Sequence, residues 1–130
     1  MILGVGSDIL KNSRIERLLN IYRNRFLKRI FTSIEIRLIE SLNNKKQILY
    51  ISKRYAAKEA FAKAMGTGIG KELSFQDIEI LSEKNGKPYF KLSDLLLKKL
   101  QKTYGRVVAH LSMSDEEEYS QAFVVIEVLT

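Results

Sequence analysis

The chain has no cysteine and no tryptophan, and it carries one proline and one histidine in 130 residues. Without cysteine there is no disulfide, no thiolate nucleophile and no zinc site built on sulfur. The lone proline, Pro88, does not punctuate the chain into two domains, and no linker, repeat or low-complexity segment does so either. No apolar run approaches the about 20 residues needed to cross a bilayer. Met1-Ile2-Leu3-Gly4-Val5 lacks a basic leader and is soon broken by Gly6 and Asp8, unlike a secretory signal. These absences predict one domain, residues 1–130, in the cytoplasm and without a membrane partner.

What is present suits a globular domain. Apolar residues make up 45% of the chain, enough for a core, and charged residues 28%. The net charge of +7 is unevenly placed. Residues 11–29 hold Lys11, Arg14, Arg17, Arg23, Arg25, Lys28 and Arg29 against Glu16 alone, so this segment nets +6. Asp115-Glu116-Glu117-Glu118 is an acidic counterpart near the other end. A concentrated basic stretch predicts an anionic partner, and charge alone does not choose among nucleic acid, a membrane surface and an acidic protein.

The hydropathy pattern predicts an α+β fold, with helices packed on a largely antiparallel sheet. Residues 2–9 read as a strand ending near Asp8. Ser13 and Glu16 have capping-box spacing, and Ile15, Leu18, Leu19, Tyr22 and Phe26 recur at helical intervals behind them. Thr32 and Glu35 repeat that spacing before a second helix reaching about Leu42. A third helix, from about Lys46 to Met65, is rich in alanine and meets Gly66 at its C-terminal cap. A strand over 76–82, the turn signal Asn85-Gly86 and Pro88-Tyr89-Phe90 form a hairpin. Ser93 or Asp94 caps a short leucine-rich helix ending near Gly105. Two strands, 107–114 and 119–129, close the chain.

Several residues carry possible chemistry. Asp8 ends a strand behind small residues, where a carboxylate faces a ligand as readily as it caps a turn. Glu59 and Lys63 lie four apart on one helix face, and Lys58 adjoins them. Such pairs are often solvated and worth only about 0.3–0.5 kcal/mol, but the surrounding alanines indicate close packing. Gly66-Thr67-Gly68-Ile69-Gly70 is either a helix cap with a turn or a backbone cradle for phosphate. It is not a Walker loop, because neither serine nor threonine follows Gly70-Lys71. His110 shares the polar side of its strand with Ser112 and Ser114, opposite Val107, Ala109, Leu111 and Met113, and is either structural or a site residue. Two carboxylates and lysines beside a glycine loop suit a hard cation holding a pyrophosphate. Metal-dependent phosphoryl transfer is as far as the residues alone lead.

Val5-Gly6-Ser7-Asp8-Ile9 with Arg14-Ile15-Glu16 resembles the opening motif of bacterial holo-acyl-carrier-protein synthases. The run from Arg54 to Ile69 is similar to that family's most specific block, and Asn85-Gly86-Lys87-Pro88 and His110-Leu111-Ser112 to two later ones. The resemblance implies transfer of 4′-phosphopantetheine from coenzyme A to a serine of an acyl carrier protein, in fatty acid biosynthesis. It implies a metal, Mg2+, on Asp8 and Glu59, with Lys63 and Lys58 neutralising the pyrophosphate. Gly66, Thr67 and Gly68 would line the pantetheine arm. Arg54, Asn85, Gly86, Lys87, Pro88 and His110, helped by Lys45 and Lys46, would hold the adenosine and 3′-phosphate end. The serine proton would pass to Glu59 directly or to Glu35 through a water. Asp115 stands where the family usually has a second histidine.

Acyl carrier proteins are acidic, so the resemblance gives Arg14, Arg17, Arg23 and Arg25 a docking role. It also implies a homotrimer with sites between subunits. The apolar run Ala122-Phe123-Val124-Val125-Ile126 fits a strand covered on both faces. The competing reading is a basic, non-enzymatic nucleic-acid-binding module. It rests on a pI near 9.6 and the arginine-rich helix, and it leaves the Lys58–Ile69 run unexplained.

Overall fold

A computed structural model describes residues 1–129. Strand β1 (Ile2–Lys11) leads into helices α1 (Asn12–Ile30), α2 (Ser33–Glu40) and α3 (Asn44–Met65). One turn of 3₁₀ helix, Phe75–Asp77, precedes the hairpin β2 (Ile78–Ser82) and β3 (Pro88–Leu92). Helix α4 (Asp94–Tyr104) and strands β4 (Arg106–Asp115) and β5 (Tyr119–Leu129) complete the fold. The α+β expectation holds, with the strands divided between two antiparallel sheets, β1-β5-β4 and β2-β3.

Period-two alternation gives the larger sheet two unlike faces. Leu10, Ala122, Val124 and Ile126 are buried beneath α3. Val5, Ile9 and Phe123 point the other way and are 54%, 65% and 42% exposed. Helix α3 lies across the inner face. It has apolar and polar residues around its whole circumference, because different sides meet the sheet, α1, α2 and, through Phe61 against Phe90, the smaller sheet.

The contact between β1 and α3 is backbone against backbone. A Cβ at Gly4 would run into the carbonyl of Ala64, and one at Gly6 into the carbonyl of Ala60 and within 2.8 Å of the Ala64 nitrogen. The alanines of α3 supply the other half of this approach, as the composition of the helix predicts.

Local signals placed several ends correctly. Thr32 and Glu35 form the reciprocal capping box of α2. Gly66 ends α3 in the left-handed region at φ 78°, while its start comes ahead of the expected Lys46, at Asn44, because Asn43 caps it by accepting from the Lys46 N–H. Ser93 caps α4.

Ser13 does not cap α1. The helix begins one residue earlier, at Asn12, with no side-chain cap. Asn12 is buried and tied to the β4–β5 turn: its amide donates to the carbonyls of Glu116 and Glu117, and it accepts from Ser120 at 2.6 Å. This long-range anchor overrides the local capping pattern. The expected strand 76–82 starts later, because Ser74 and Asp77 close the 3₁₀ turn first. The Asn85-Gly86 hairpin is present with a five-residue loop, since pairing ends at Ser82 and Pro88.

Candidate active site

Four side chains converge where β1 passes α3. Tyr55, Glu59 and Lys63 form one row along the helix, each four residues from the next. Asp8 faces this row from β1, and the Lys63 ammonium donates to its carboxylate at 3.0 Å and to the Ser7 carbonyl at 3.1 Å. Lys63 is the more exposed partner, 56% against 18% for Asp8, so one arm of the ion pair swings in solvent.

Glu59 is electrostatically uncomfortable. Burial pushes its carboxyl above the usual range, and the charge of Asp8 adds to the shift. The Tyr55 hydroxyl, Lys63 and Arg14 pull it partly back. Tyr55 is itself pushed up by burial, and it is wedged between Phe26 and Phe75, with ring centroids 6.0 and 5.8 Å away. Sequence reasoning assigned Tyr55 no role. The signal was its spacing of four from Glu59. Asp8 and Glu59 thus lie close enough for each charge to be felt by the other, with Lys63 on Asp8 and Arg14 nearby. That donor set suits a hard divalent cation that takes one or two protein carboxylates and completes its shell from substrate and water.

Two expected site residues lie elsewhere. Lys58 and Glu35 have fully buried side chains, paired at 2.7 Å. The Lys58 ammonium also donates to the carbonyls of Ile30 at 2.9 Å and Phe75 at 3.0 Å, which uses all three of its hydrogens. Glu35 also accepts from the backbone of Thr32 and Ile80. Burial pulls the ammonium below the usual lysine range, opposed by the charge of Glu35. Lys58 therefore does not reach a pyrophosphate, and Glu35 has no solvent-facing oxygen through which a water could relay a proton. Both are core residues.

Arg54 shares the inward side of α3 with Lys58. It is 7% exposed, stacks 3.4 Å over the Tyr50 ring, and has a buried Nε without a partner. Arg23 is half-buried and donates to Gln47 at 2.8 Å, which removes it from the exposed arginines of α1. Arg14, Arg17 and Arg25 are exposed, as expected.

In the glycine loop, the N–H groups of Gly66 and Gly68 donate to Lys63 and Ala62, so they cap α3 and are not free to cradle a phosphate. Thr67 is exposed beside them. Asn85, Gly86 and Lys87 form the exposed tip of the smaller sheet, and Lys45 and Lys46 are exposed at the start of α3. Pro88 opens β3.

His110 lies on the outer face of the larger sheet, paired with Glu127 at 3.0 Å. Asp8 is on the inner face. The two cannot meet within one chain. Asp115 pairs with Lys53 of α3 at 2.8 Å.

The profile of the 4′-phosphopantetheinyl transferase superfamily matches residues 4–124. The chain belongs to this superfamily. A holo-[acyl-carrier-protein] synthase of Pelagibacter ubique is 44% identical over 128 residues, covering 97% of both chains. One from Ruthia magnifica is 46% identical over 128 residues, 98% of each. The crystal structure of the Neisseria meningitidis synthase matches with a TM-score of 0.90 and 43% identity, over 98% of this chain and 99% of that one. A Bacillus anthracis synthase in complex with coenzyme A (3′,5′-ADP) matches with a TM-score of 0.84 and 39% identity, over 99% of each.

Proposed function

We propose that this protein transfers the 4′-phosphopantetheine moiety of coenzyme A to a serine of an apo-acyl carrier protein in the cytoplasm, releasing adenosine 3′,5′-bisphosphate and serving fatty acid biosynthesis. The observation that carries the reading is the convergence of Asp8, Glu59 and Lys63 in a chain that matches this superfamily over nearly its whole length. The nucleic-acid alternative finds no support in those matches. Mass spectrometry of an apo carrier protein incubated with coenzyme A, Mg2+ and this protein tests it: the carrier gains one phosphopantetheine, and an unchanged carrier mass refutes the assignment.

The superfamily's chemistry calls for a metal, and the carboxylates present fit Mg2+. Asp8 and Glu59 would hold it, and when bound it polarises the transferring phosphate and offsets its charge. Lys63 has a long exposed stem and a strong preference for anions, so it can leave Asp8 to meet the pyrophosphate. Phosphoryl transfer needs mainly positioning and charge neutralisation, which these residues supply. Glu59 is the group at hand to accept the serine proton, because Glu35 is sealed in the core.

Arg14 and Arg17 border a groove of about 610 Å³ that also holds Ile9, Leu10 and Tyr119. Cationic rim and apolar floor together suit an acidic amphipathic surface such as a carrier protein presents. Arg14→Glu and Arg17→Glu are expected to raise KM for the carrier severalfold and leave KM for coenzyme A unchanged, with the wild-type kcat/KM falling as salt rises. Equal weakening toward both substrates would indicate damage to the fold instead.

The outer sheet face, with Val5, Ile9 and Phe123 exposed, supports assembly into a homotrimer. In that arrangement His110 and the Asn85-Gly86-Lys87 turn complete the coenzyme A site of a neighbouring subunit, since His110 lies on the sheet face away from Asp8 of its own chain. Chains carrying Glu59→Ala, mixed and re-associated with chains carrying Lys87→Ala and His110→Ala, are then expected to regain activity. A monomer on sizing, or no recovery, refutes the shared site.

A further inference from the structure

The distance between the two carboxylates is set by a strand–helix contact, and the residues that fix it are not the carboxylates themselves. On β1, Gly4, Gly6 and Asp8 occupy one face. Moving from Gly4 to Gly6 advances about 6.8 Å along an antiparallel strand. Moving from Ala64 to Ala60 retreats one turn and a fraction of α3, about 6.0 Å. The two steps nearly match, and the backbone of Gly4 sits at the Ala64 carbonyl while that of Gly6 sits at the Ala60 carbonyl. Continuing the same register brings Asp8 alongside Ala56, next to the row of Tyr55, Glu59 and Lys63. The ion pair of Asp8 with Lys63 at 3.0 Å and its charge acting on both Tyr55 and Glu59 agree with this placement.

No side chain separates strand from helix at either glycine. Any Cβ at position 6 falls against backbone, which cannot rotate away as a side chain could. The strand must then move outward, and Asp8 moves with it. Asp8 has only one methylene between its carboxylate and the strand, so its reach is short.

We propose that Gly4 and Gly6 act as positioning residues for the reaction: their side-chain-free contact with Ala64 and Ala60 holds β1 close enough to α3 for the short Asp8 carboxylate and Glu59 to share one divalent cation. This rests on the metal-binding role of Asp8 and Glu59 proposed above. The widened gap should therefore weaken the cation site, and a longer acid at position 8 should reach back across it.

The test measures binding of manganese, the spectroscopically visible probe, by electron paramagnetic resonance with and without coenzyme A. Wild type, Gly6→Ala, Asp8→Glu and the double variant Gly6→Ala/Asp8→Glu are compared, each checked for fold by circular dichroism and thermal melting. Gly6→Ala is expected to bind manganese at least tenfold more weakly than wild type, and the double variant to recover a large part of that loss although Asp8→Glu alone weakens binding. A purely structural glycine would not be rescued by lengthening an acid two residues away. Gly4→Ala, farther from the carboxylate, is the second variant should Gly6→Ala not fold, with the same expected rescue. Wild-type affinity in a folded glycine variant overturns the proposal, as does a double variant no better than its glycine parent. Unfolding of both glycine variants also overturns it, since the contact would then serve the fold alone. A wild-type protein that binds no manganese with or without coenzyme A refutes the metal role of Asp8 and Glu59 instead.

Discussion

Asp8→Ala and Glu59→Ala are each expected to lower turnover by at least about 10²–10³-fold, the scale of removing a principal electrostatic stabiliser of a transition state. An exposed ion pair is worth less than about 1 kcal/mol, so loss of the Asp8–Lys63 contact alone would not account for such a fall. Stability should move the other way at Glu59. Its carboxyl is held above the usual range by burial and by Asp8, so the folded state binds its proton more tightly than the unfolded chain does. For such a group stability is greatest at low pH and declines as pH rises from the unfolded carboxyl's value through the raised folded one. In chelator-treated protein, Glu59→Gln is therefore expected to melt no lower than wild type at neutral pH and to lack that decline. Near wild-type turnover of either alanine variant with Mg2+ would remove the residue from the site. A Glu59→Gln protein that melts well below wild type would show that the carboxylate serves the fold.

The parts of the fold that could be read from the sequence are those with local causes. The Thr32–Glu35 box, the Gly66 cap and the alternation of β4 each need only a few neighbouring residues, and all three are present. That alternation also put His110 opposite Ala109 and Leu111, and in the structure its face is the one turned away from α3. The alanine content of α3 pointed to close packing, but not to its partner: Gly4 and Gly6 are far away in sequence. Where the reading failed, a long-range contact had decided the matter. Ser13 lost the cap of α1 to the anchor that Asn12 makes across the molecule. The resemblance groups Arg23 with the docking arginines, but Arg23 falls on the inward side of α1. It comes four residues after buried Leu19 and three before buried Phe26, in the inward place the pattern gives to Tyr22, which departs from helical geometry at φ −127° and ψ 23° and is 49% exposed. Lys58 and Glu59 are adjacent in sequence and fall on opposite fates. Since α3 is contacted on several sides, no apolar stripe marks which of its charged residues face inward.

Lys58→Met is expected to destabilise the protein by about 3–5 kcal/mol, because it leaves the Glu35 carboxylate buried without its counter-charge. Total stability for a domain of this kind is about 5–15 kcal/mol, so the variant should lie near the edge of folding. The ammonium joins the end of α1 at Ile30, the start of α2 at Glu35 and the 3₁₀ turn at Phe75, and Glu35 carries the connection on to Ile80 of β2. With α3, which carries Lys58, five elements thus meet on one charge pair. Glu35→Gln alone removes the anion but leaves the ammonium short of a charged acceptor. Lys58→Met/Glu35→Gln removes both charges, and its cost is expected to fall short of the sum of the single costs by about 1–3 kcal/mol. The remainder persists because one amide oxygen cannot serve both the Thr32 and Ile80 N–H groups that the carboxylate now satisfies. Chemical denaturation of the four proteins measures the coupling. Additive costs would mean that the two side chains do not act as a pair. In the protein that remains folded, KM for coenzyme A should be unchanged, since a lysine with three buried acceptors has none left to give a phosphate. A raised KM in folded Lys58→Met would return this residue to the substrate site.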